Sequence, residues 1–170
     1  QMRRNRVETY VCDYGKSQQP CFVKGLAMDQ QQYIDFVLRT VEERDIRFIR
    51  LWFTDVLGRL KSFAISPEDL EVAFEEGIGF DGSAIEGFTT PDEADMLAFP
   101  DPSTFQILPW RPTRDGAARI FCDACTPDRQ RFAGDSRECL RRMFYRAEKL
   151  GYIMNVGAEL EFYYFPDERT

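Results

Sequence analysis

The side chains best able to do chemistry in this sequence are carboxylates in two short motifs. The first is Asp81, which lies in the run FDGSAIEGF over residues 80–88. Glycine permits backbone conformations that other residues avoid, so a short acid beside it can point into a site. Asp81 could therefore act as a general base, as a cation ligand or as the residue that closes an Asx turn. Ser83 in the same run is a poor candidate nucleophile, because the sequence offers no base to activate it.

The second motif is Glu159-Leu160-Glu161, in a segment over 158–165 that is predicted to be a β-strand. Side chains two residues apart on a strand share a face, with about 6–7 Å between their α-carbons. Two like-charged acids among apolar neighbours such as Phe162 are unfavourable unless a proton or a cation neutralises them. Glu159 and Glu161 therefore predict either a site for Mg²⁺ or Mn²⁺, which prefer oxygen ligands, or a solvated strand face.

The composition excludes several kinds of site and partner. The 170 residues include no histidine, so the sequence cannot by itself supply a Ser-His-Asp triad or a histidine metal ligand. A net charge of −7 argues against nucleic acid as the main partner. No apolar run approaches the roughly 20 residues of a membrane helix, so no membrane insertion is expected. The odd number of cysteines and the low cysteine content fit a reduced setting, so the protein is predicted to be cytoplasmic.

Five cysteines, at positions 12, 21, 122, 125 and 139, fit a reduced setting better than a disulfide framework. Cys122 and Cys125 form a lone C-x-x-C motif. A zinc site would need a second pair of ligands at matching spacing, and the sequence contains no second C-x-x-C. The alternative interpretation is that Cys122 is buried in a strand and that Cys125 lies just past it.

The first half of the chain predicts a helix followed by a β-hairpin. Residues 1–27 show no periodicity and are predicted to be an extension, disordered or not native. Asp29 can cap a helix, because apolar residues recur at helical spacing from Tyr33 to Val41. Strands are predicted over 46–54, with apolar residues on both faces, and over 59–65.

The second half mixes helices, strands and one long loop. Ser66 and Pro67 predict the start of a second helix, and Gly77 predicts its end. The segment over 77–103 is rich in glycine and proline and is predicted to be a long functional loop. The remaining predicted elements are strands over 104–108, 117–123, 152–156 and 158–165, and a helix from Asp135 to about Leu150 that Gly151 ends.

Taken together, these stretches resemble glutamine synthetase of the bacterial type I class. The matching text is FIRLWFTDVLG at 48–58, EEGIGFDGS at 75–83, DM at 95–96, PDPSTF at 100–105 and ELEF at 159–162. The order and spacing agree over about residues 28–165. The Asp-Gly-Ser loop, followed about 75 residues later by Glu-x-Glu-Phe, is specific to that family.

The resemblance implies an α+β fold, with a β-grasp domain over 28–125 and the first helix and strands of an incomplete catalytic domain over 126–170. The implied activity is ATP-dependent ligation of ammonia to L-glutamate through γ-glutamyl phosphate, giving glutamine. The implied assembly is a homo-oligomeric double ring. In that ring the β-grasp domain of one subunit completes the active site of its neighbour.

The resemblance also assigns roles to the two acidic motifs. Asp81 corresponds to the family aspartate that binds ammonium and takes its proton, and Ser83 corresponds to a substrate-binding position. Glu159 and Glu161 correspond to ligands of two divalent ions, Mg²⁺ or Mn²⁺. These roles fit the chemistry, because metal ions offset charge during phosphoryl transfer and a carboxylate favours capture of ammonium.

Two departures from the family pattern leave alternatives open. Ala84 stands where the commonest family loop has a second serine near the ammonium site, so the amine could be a polyamine or another amine. The family's nucleotide-binding segment and its remaining metal ligands lie beyond residue 170, so this polypeptide alone is expected to be inactive. A β-grasp interaction module that lacks catalytic activity is the third alternative.

Overall fold

The structure is a computed structural model that describes residues 29–85, 95–110 and 116–163. The helices are α1 (Gln30–Glu43), α2 (Leu70–Glu76) and α3 (Ser136–Lys149). The strands are β1 (Ile46–Thr54), β2 (Leu60–Ile65), β3 (Ile78–Asp81), β4 (Asp95–Pro100), β5 (Gln106–Ile107) and β6 (Gly116–Cys125). Short 3₁₀ turns are present at Pro67–Asp69, Gly82–Ala84 and Pro102–Thr104. The predicted α+β class is confirmed.

A single mixed sheet organises these elements, with the strand order β2-β1-β6-β4-β3. β1 and β6 run parallel, and the pairs β1–β2, β4–β6 and β3–β4 are antiparallel. The two-residue β5 pairs with Ala118 and Arg119 of β6, on the edge that β4 occupies further along the strand. β1 and β6 are therefore the central strands, and both contribute residues to the core.

Helices α1 and α2 cover one face of the sheet and bury the larger apolar cluster. Val37 and Val41 of α1 and Leu70 of α2 belong to the same cluster as Leu51 and Ile120, which are partners on the two central strands. Full burial of such a side chain contributes roughly 1.5–3 kcal/mol to folding. This cluster fixes the sheet against the helices and so positions the ends of its strands.

Several predicted elements are confirmed together with the residues that begin or end them. Asp29 forms a capping box with α1: its Oδ1 accepts from the backbone N of Gln32 at 2.8 Å, and Gln32 Oε1 accepts from Asp29 N at 2.9 Å. Gly77 ends α2 at φ +76°, which glycine adopts without steric cost. Asp135 caps α3 by accepting from the backbone N of Arg137. The β1–β2 hairpin also forms as predicted.

Apolar residues on both faces of β1 predict a central strand covered on two sides. The central position is confirmed, since β1 lies between β2 and β6, but one face is only partly covered. Ile49, Leu51 and Phe53 are buried on the side that α1 and α2 cover. On the other side Phe48 is 57% exposed and Trp52 is half-buried. Apolar residues on both faces of a strand therefore did not guarantee that both faces are fully buried here, because α1 and α2 both lie on the face that carries Ile49 and Leu51.

The predicted loop over 77–103 is wrong at both ends, since β3 and β4 lie within it. These strands pair with each other, and β4 also pairs with β6, so the ladder outweighs the low strand propensity of glycine. The middle of that predicted loop, 86–94, lies outside the described residues. The predicted strand over 104–108 is shortened to β5, because Pro102–Thr104 forms a 3₁₀ turn.

The strands predicted over 152–156 and 158–165 are wrong across 152–163, the part of them that the structure describes. A strand needs hydrogen-bonded neighbours, and β1–β6 pair among themselves and not with this segment. Its large apolar side chains are accordingly exposed, including Leu160 at 83% and Phe162 at 78%. Residues 164 and 165 lie outside the described ranges, as does the predicted extension over 1–27.

Candidate functional site

Asp81 lies at the end of β3, where the chain turns through Gly82–Ala84. Its Oδ1 accepts a hydrogen bond from the backbone N of Ser83 at 2.9 Å, and the backbone N of Ile85 donates to the carbonyl of Gly82 at 2.9 Å. The interpretation of Asp81 as an Asx-turn residue is therefore confirmed. Asp81 and Ser83 are exposed, whereas Gly82 and Ile85 are buried. The turn thus presents its two polar side chains to solvent.

Hydrogen bonding lowers the pKa of Asp81. The side chain and the backbone N–H of Ser83 both donate to the carboxylate, and together they outweigh the effect of desolvation. Asp81 is therefore ionised at neutral pH. A carboxylate with a lowered pKa is better suited to holding a cation than to removing a proton, because its affinity for the proton is reduced.

An open groove of about 570 Å³ lies beside Asp81. Asp81 and Asp95 are direct partners across the antiparallel pair β3–β4, and both exposed acids line this groove. Phe80, Met96 and Pro127 form part of its remaining wall. Two carboxylates at one rim give the groove a negative potential, which attracts small cations.

Glu159 and Glu161 lie in the segment that follows α3, outside any helix or strand. Both are exposed, as are Leu160 and Phe162, so the apolar surroundings expected for the two carboxylates are not present. Within the described ranges, no group of three or more Asp, Glu, Cys or His side chains is arranged to hold a metal ion. Carboxylate oxygens fit Mg²⁺ or Mn²⁺ chemically, but a complete coordination shell needs further ligands.

A network of ion pairs that the sequence analysis missed joins β6 to α3. Asp123 Oδ2 accepts from Arg141 Nη2 at 2.7 Å, and Asp123 Oδ1 lies 3.0 Å from Arg137 Nε without hydrogen-bond alignment. Arg137 also donates to Asp101 at 2.5 Å, and Arg141 donates to Glu138 at 2.8 Å. The spacing of Arg137, Glu138 and Arg141 could have indicated a charged helix face. Their partners on the sheet could not be found without the fold.

Asp135 connects the start of α3 to the sheet and is 2% exposed. Its carboxylate accepts from the backbone N of Arg137 at 3.1 Å and from the backbone N of Ala124 at 3.3 Å. Burial raises the pKa of Asp135 to about 6, and the nearby Asp123 carboxylate contributes in the same direction. The role of Asp135 therefore extends beyond the helix cap that the sequence predicts.

A second groove, of about 460 Å³, lies between β6 and α3. It is lined by three arginines (Arg119, Arg137 and Arg141) and by residues of the turn that begins at Asp101. Arg119 donates to the carbonyl of Thr104 at 2.7 Å and to Gln106 Oε1 at 2.6 Å. Its guanidinium lies 4.5 Å from the ring centroid of Phe121, a cation–π distance. These contacts fasten the segment around β5 to the sheet, which accounts for Arg119 structurally.

Asp55 shapes the turn between β1 and β2 and is fully buried. Its Oδ1 accepts from the backbone N of Leu57 and of Arg59, both at 2.9 Å, and Lys61 Nζ lies 3.7 Å from Oδ2. Burial opposes ionisation of this carboxyl, but the two hydrogen bonds and the Lys61 charge outweigh it, so the pKa of Asp55 is lowered. The Asp55 carboxylate thus stabilises the turn of the β1–β2 hairpin.

Cys122 and Cys125 are buried free thiols in β6. Burial raises the pKa of both, and that of Cys125 to about 11. A protonated thiol is a poor nucleophile and a poor metal ligand, so these side chains are not prepared for redox or zinc chemistry. The interpretation of Cys122 as a buried strand residue is confirmed. Cys125 is the last residue of the strand and does not lie past it.

Comparison with known proteins identifies the fold. A family model for the β-grasp domain of glutamine synthetase matches residues 45–127. The glutamine synthetase of Mycolicibacterium smegmatis is 60% identical over 139 residues, which cover 80% of this chain and 30% of that protein. The glutamine synthetase of Methanosarcina mazei is 55% identical over 129 residues, which cover 76% of this chain and 29% of that protein.

Solved structures also match this chain, at lower identity. GmaS in complex with ADP, in its conformation 1, matches with a TM-score of 0.60 and 26% identity over 66% of this chain and 25% of that chain. Ligand-free GmaS matches with a TM-score of 0.60 and 27% identity over 67% of this chain and 26% of that chain. The part of the mixed sheet and helices within residues 45–127 is thus a β-grasp domain.

The chain belongs to the glutamine synthetase family. It spans about 30% of the length of the curated relatives that it matches. Among the helices in the described part of the chain, none is long and apolar enough to span a bilayer.

Proposed function

We propose that the complete protein is an ATP-dependent ligase that joins ammonia to L-glutamate through γ-glutamyl phosphate and so makes glutamine. The observation that carries this proposal is the 60% identity to the glutamine synthetase of M. smegmatis, which extends over 80% of this chain. The match of residues 45–127 to the glutamine synthetase β-grasp model adds support, because Asp81 and its groove lie within it.

Asp81 is proposed to bind ammonium at the rim of its groove and then to take one proton from it. The ammonia nitrogen would then attack the γ-carbonyl carbon of γ-glutamyl phosphate, and phosphate would leave. The lowered pKa of Asp81 supports the binding step, because the carboxylate is ionised when ammonium arrives. Ser83 is proposed to bind substrate, since its side chain is exposed on the same turn.

Glu159 and Glu161 are proposed to bind Mg²⁺ or Mn²⁺ in the complete protein. When bound, a divalent ion offsets the charge that develops as phosphate passes from ATP to glutamate. One or two carboxylates together with phosphate oxygens are a usual arrangement for Mg²⁺. Both carboxylates are exposed and so accessible to ligands from outside this chain. The related GmaS has been solved with ADP, which supports the use of a nucleotide.

We also propose that residues 28–125 form the β-grasp domain and that 126–170 begin the catalytic domain, in a cytoplasmic homo-oligomeric double ring. The end of β6 at Cys125 supports this boundary.

The proposal is tested by glutamine formation from ATP, glutamate and ammonium by the full-length protein, with a polyamine as the competing amine. We expect ammonium to be the preferred amine, despite Ala84. Asp81→Asn should lower turnover about 100-fold or more and leave ATP binding within about twofold, since it removes the charge and the base but keeps the turn acceptor. Activity of the variant equal to that of the parent, or no turnover by the parent, would refute the proposed role.

The metal assignment has its own test, by calorimetry with Mn²⁺ on the full-length protein. Glu161→Gln should weaken Mn²⁺ binding about tenfold or more, because the amide carries no charge. Glu148→Gln is the matched control, since Glu148 is an exposed glutamate of α3. Equal Mn²⁺ binding by the two variants would overturn the assignment of Glu161.

A further inference from the structure

The turn that carries Asp81 is anchored from below by Ile85. Ile85 is 1% exposed and forms an apolar cluster with Phe53 of β1, Met96 of β4 and Ala124 of β6. The side chain therefore contacts a floor made by three different strands. Ile85 lies only four residues after Asp81. Two hydrogen bonds close the turn between them: Ser83 N donates to Asp81 Oδ1, and Ile85 N donates to the carbonyl of Gly82.

A second anchor precedes Asp81. The ring of Phe80 lies 4.8 Å from that of Phe53 and 6.0 Å from that of Phe63, measured between centroids. Phe53 and Phe63 lie 6.4 Å apart, so the three rings form one aromatic group on β1, β2 and β3. Aromatic pairs at such distances contribute roughly 0.5–1.5 kcal/mol beyond their buried area. Asp81 is thus held between an aromatic anchor at Phe80 and an aliphatic anchor at Ile85.

We infer that Ile85 is a positioning residue for Asp81, acting through the 3₁₀ turn and not through contact with substrate. This inference rests on the proposed function of Asp81. The turn buries Gly82 and Ile85 and exposes Asp81 and Ser83, so its orientation depends on how deeply Ile85 is seated. A shift of about 1 Å in a group that binds a reactant can cost up to about 100-fold in rate. Ile85 therefore affects ammonium binding without reaching the ammonium ion.

The test measures steady-state kinetics of the full-length protein with ammonium and ATP varied in turn. Ile85→Ala should raise the KM for ammonium about tenfold and leave the KM for ATP within about twofold, because the turn moves and the rest of the fold does not. Ile85→Val, which keeps the β-branched shape, should restore the ammonium KM to within about twofold of the parent.

Leu70→Ala is the matched control, because Leu70 is 0% exposed and lies in the other apolar cluster, under α2. It should lower thermal stability by a similar amount and leave the ammonium KM unchanged. If Ile85→Ala leaves the ammonium KM unchanged, or if Leu70→Ala raises it equally, Ile85 is a core residue without a positioning role. Should Ile85→Ala fail to assemble, Phe53→Leu decides in the same way, because Phe53 packs in the cluster of Ile85 and is not among the residues that line the Asp81 groove. A raised ammonium KM supports the anchor, and an unchanged one overturns it.

Asp81→Asn in the same assay distinguishes a failure of the proposed function of Asp81 from a failure of the positioning role of Ile85. An unchanged ammonium KM in Asp81→Asn would remove the proposed function of Asp81, and the positioning role with it. A raised KM in Asp81→Asn with an unchanged KM in Ile85→Ala would remove the positioning role alone.

Discussion

Arg141 Nη2 lies 2.7 Å from Asp123 Oδ2, and the two side chains are 12% and 16% exposed. Removing one partner of a pair this well shielded leaves a poorly solvated charge. We therefore expect Asp123→Ala to lower the free energy of unfolding of this chain by about 3 kcal/mol, measured by urea denaturation.

The control for that measurement is Glu43→Ala, which breaks an exposed i,i+4 pair with Arg39 at 4.0 Å. Such surface pairs contribute about 0.5 kcal/mol or less, so this variant should unfold close to the parent. A similar effect from both variants would show that the Asp123 network does not fasten α3 to the sheet.

The raised pKa of Asp135 predicts an unusual dependence of stability on pH. The folded pKa of about 6 exceeds the ordinary aspartate value of about 3.8, so the folded state favours the protonated acid. The resulting stability is present below about pH 4 and is lost as the pH rises through 6, with a total change on the order of 3 kcal/mol. Unfolding measured from pH 3.5 to 7 should show this decline.

Comparison with Asp135→Ser isolates the contribution of Asp135 to the pH dependence from the contributions of the other acids. Serine keeps a helix cap but does not titrate. The difference in unfolding free energy between the parent and Asp135→Ser should change across pH 4–6 and be flat above pH 7. Parallel pH profiles for the two proteins would contradict the raised pKa.

Arg129 adopts φ +62°, a left-handed conformation that is unfavourable for residues with a Cβ. Its backbone N donates to the carbonyl of Thr126 at 2.9 Å within a tight turn, and a glycine can keep that bond. Arg129→Gly should therefore stabilise the chain by about 0.5–1 kcal/mol, measured by thermal or urea unfolding. Destabilisation by this change would show that the arginine side chain contributes more than the backbone strain costs.

Gly77 and Gly58 separate backbone strain from steric clash. Both have positive φ, +76° and +77°, but a Cβ at Gly77 would lie 2.9 Å from the Phe99 ring, whereas nothing lies within 4 Å of one at Gly58. Gly58→Ala should cost about 1 kcal/mol from strain alone. Gly77→Ala should cost at least about 1 kcal/mol more, because the Phe99 ring must shift. Equal losses in denaturation experiments would mean that the ring moves freely.

The sequence by itself determined the features that depend on a few neighbouring residues. The capping box of Asp29 and Gln32, the stop at Gly77 and the alternation of β1 are set by local hydrogen bonds and side-chain spacing. The Asx turn at Asp81 belongs to the same group, because its acceptor and donor are two residues apart. The resemblance to glutamine synthetase was also available from sequence, since it depends on motif order.

Tertiary structure decided whatever depends on residues far apart in the chain. β3, which contains a glycine, becomes a strand because β4 pairs with it. Arg137 donates a hydrogen bond to Asp101, which lies 36 residues earlier in the chain. The raised pKa of Asp135 comes from its burial against β6, and no local sequence pattern indicates that burial. Conversely, the acidic motif at Glu159 and Glu161 forms no strand, because alternation alone cannot supply the hydrogen-bonded neighbour that an extended segment needs.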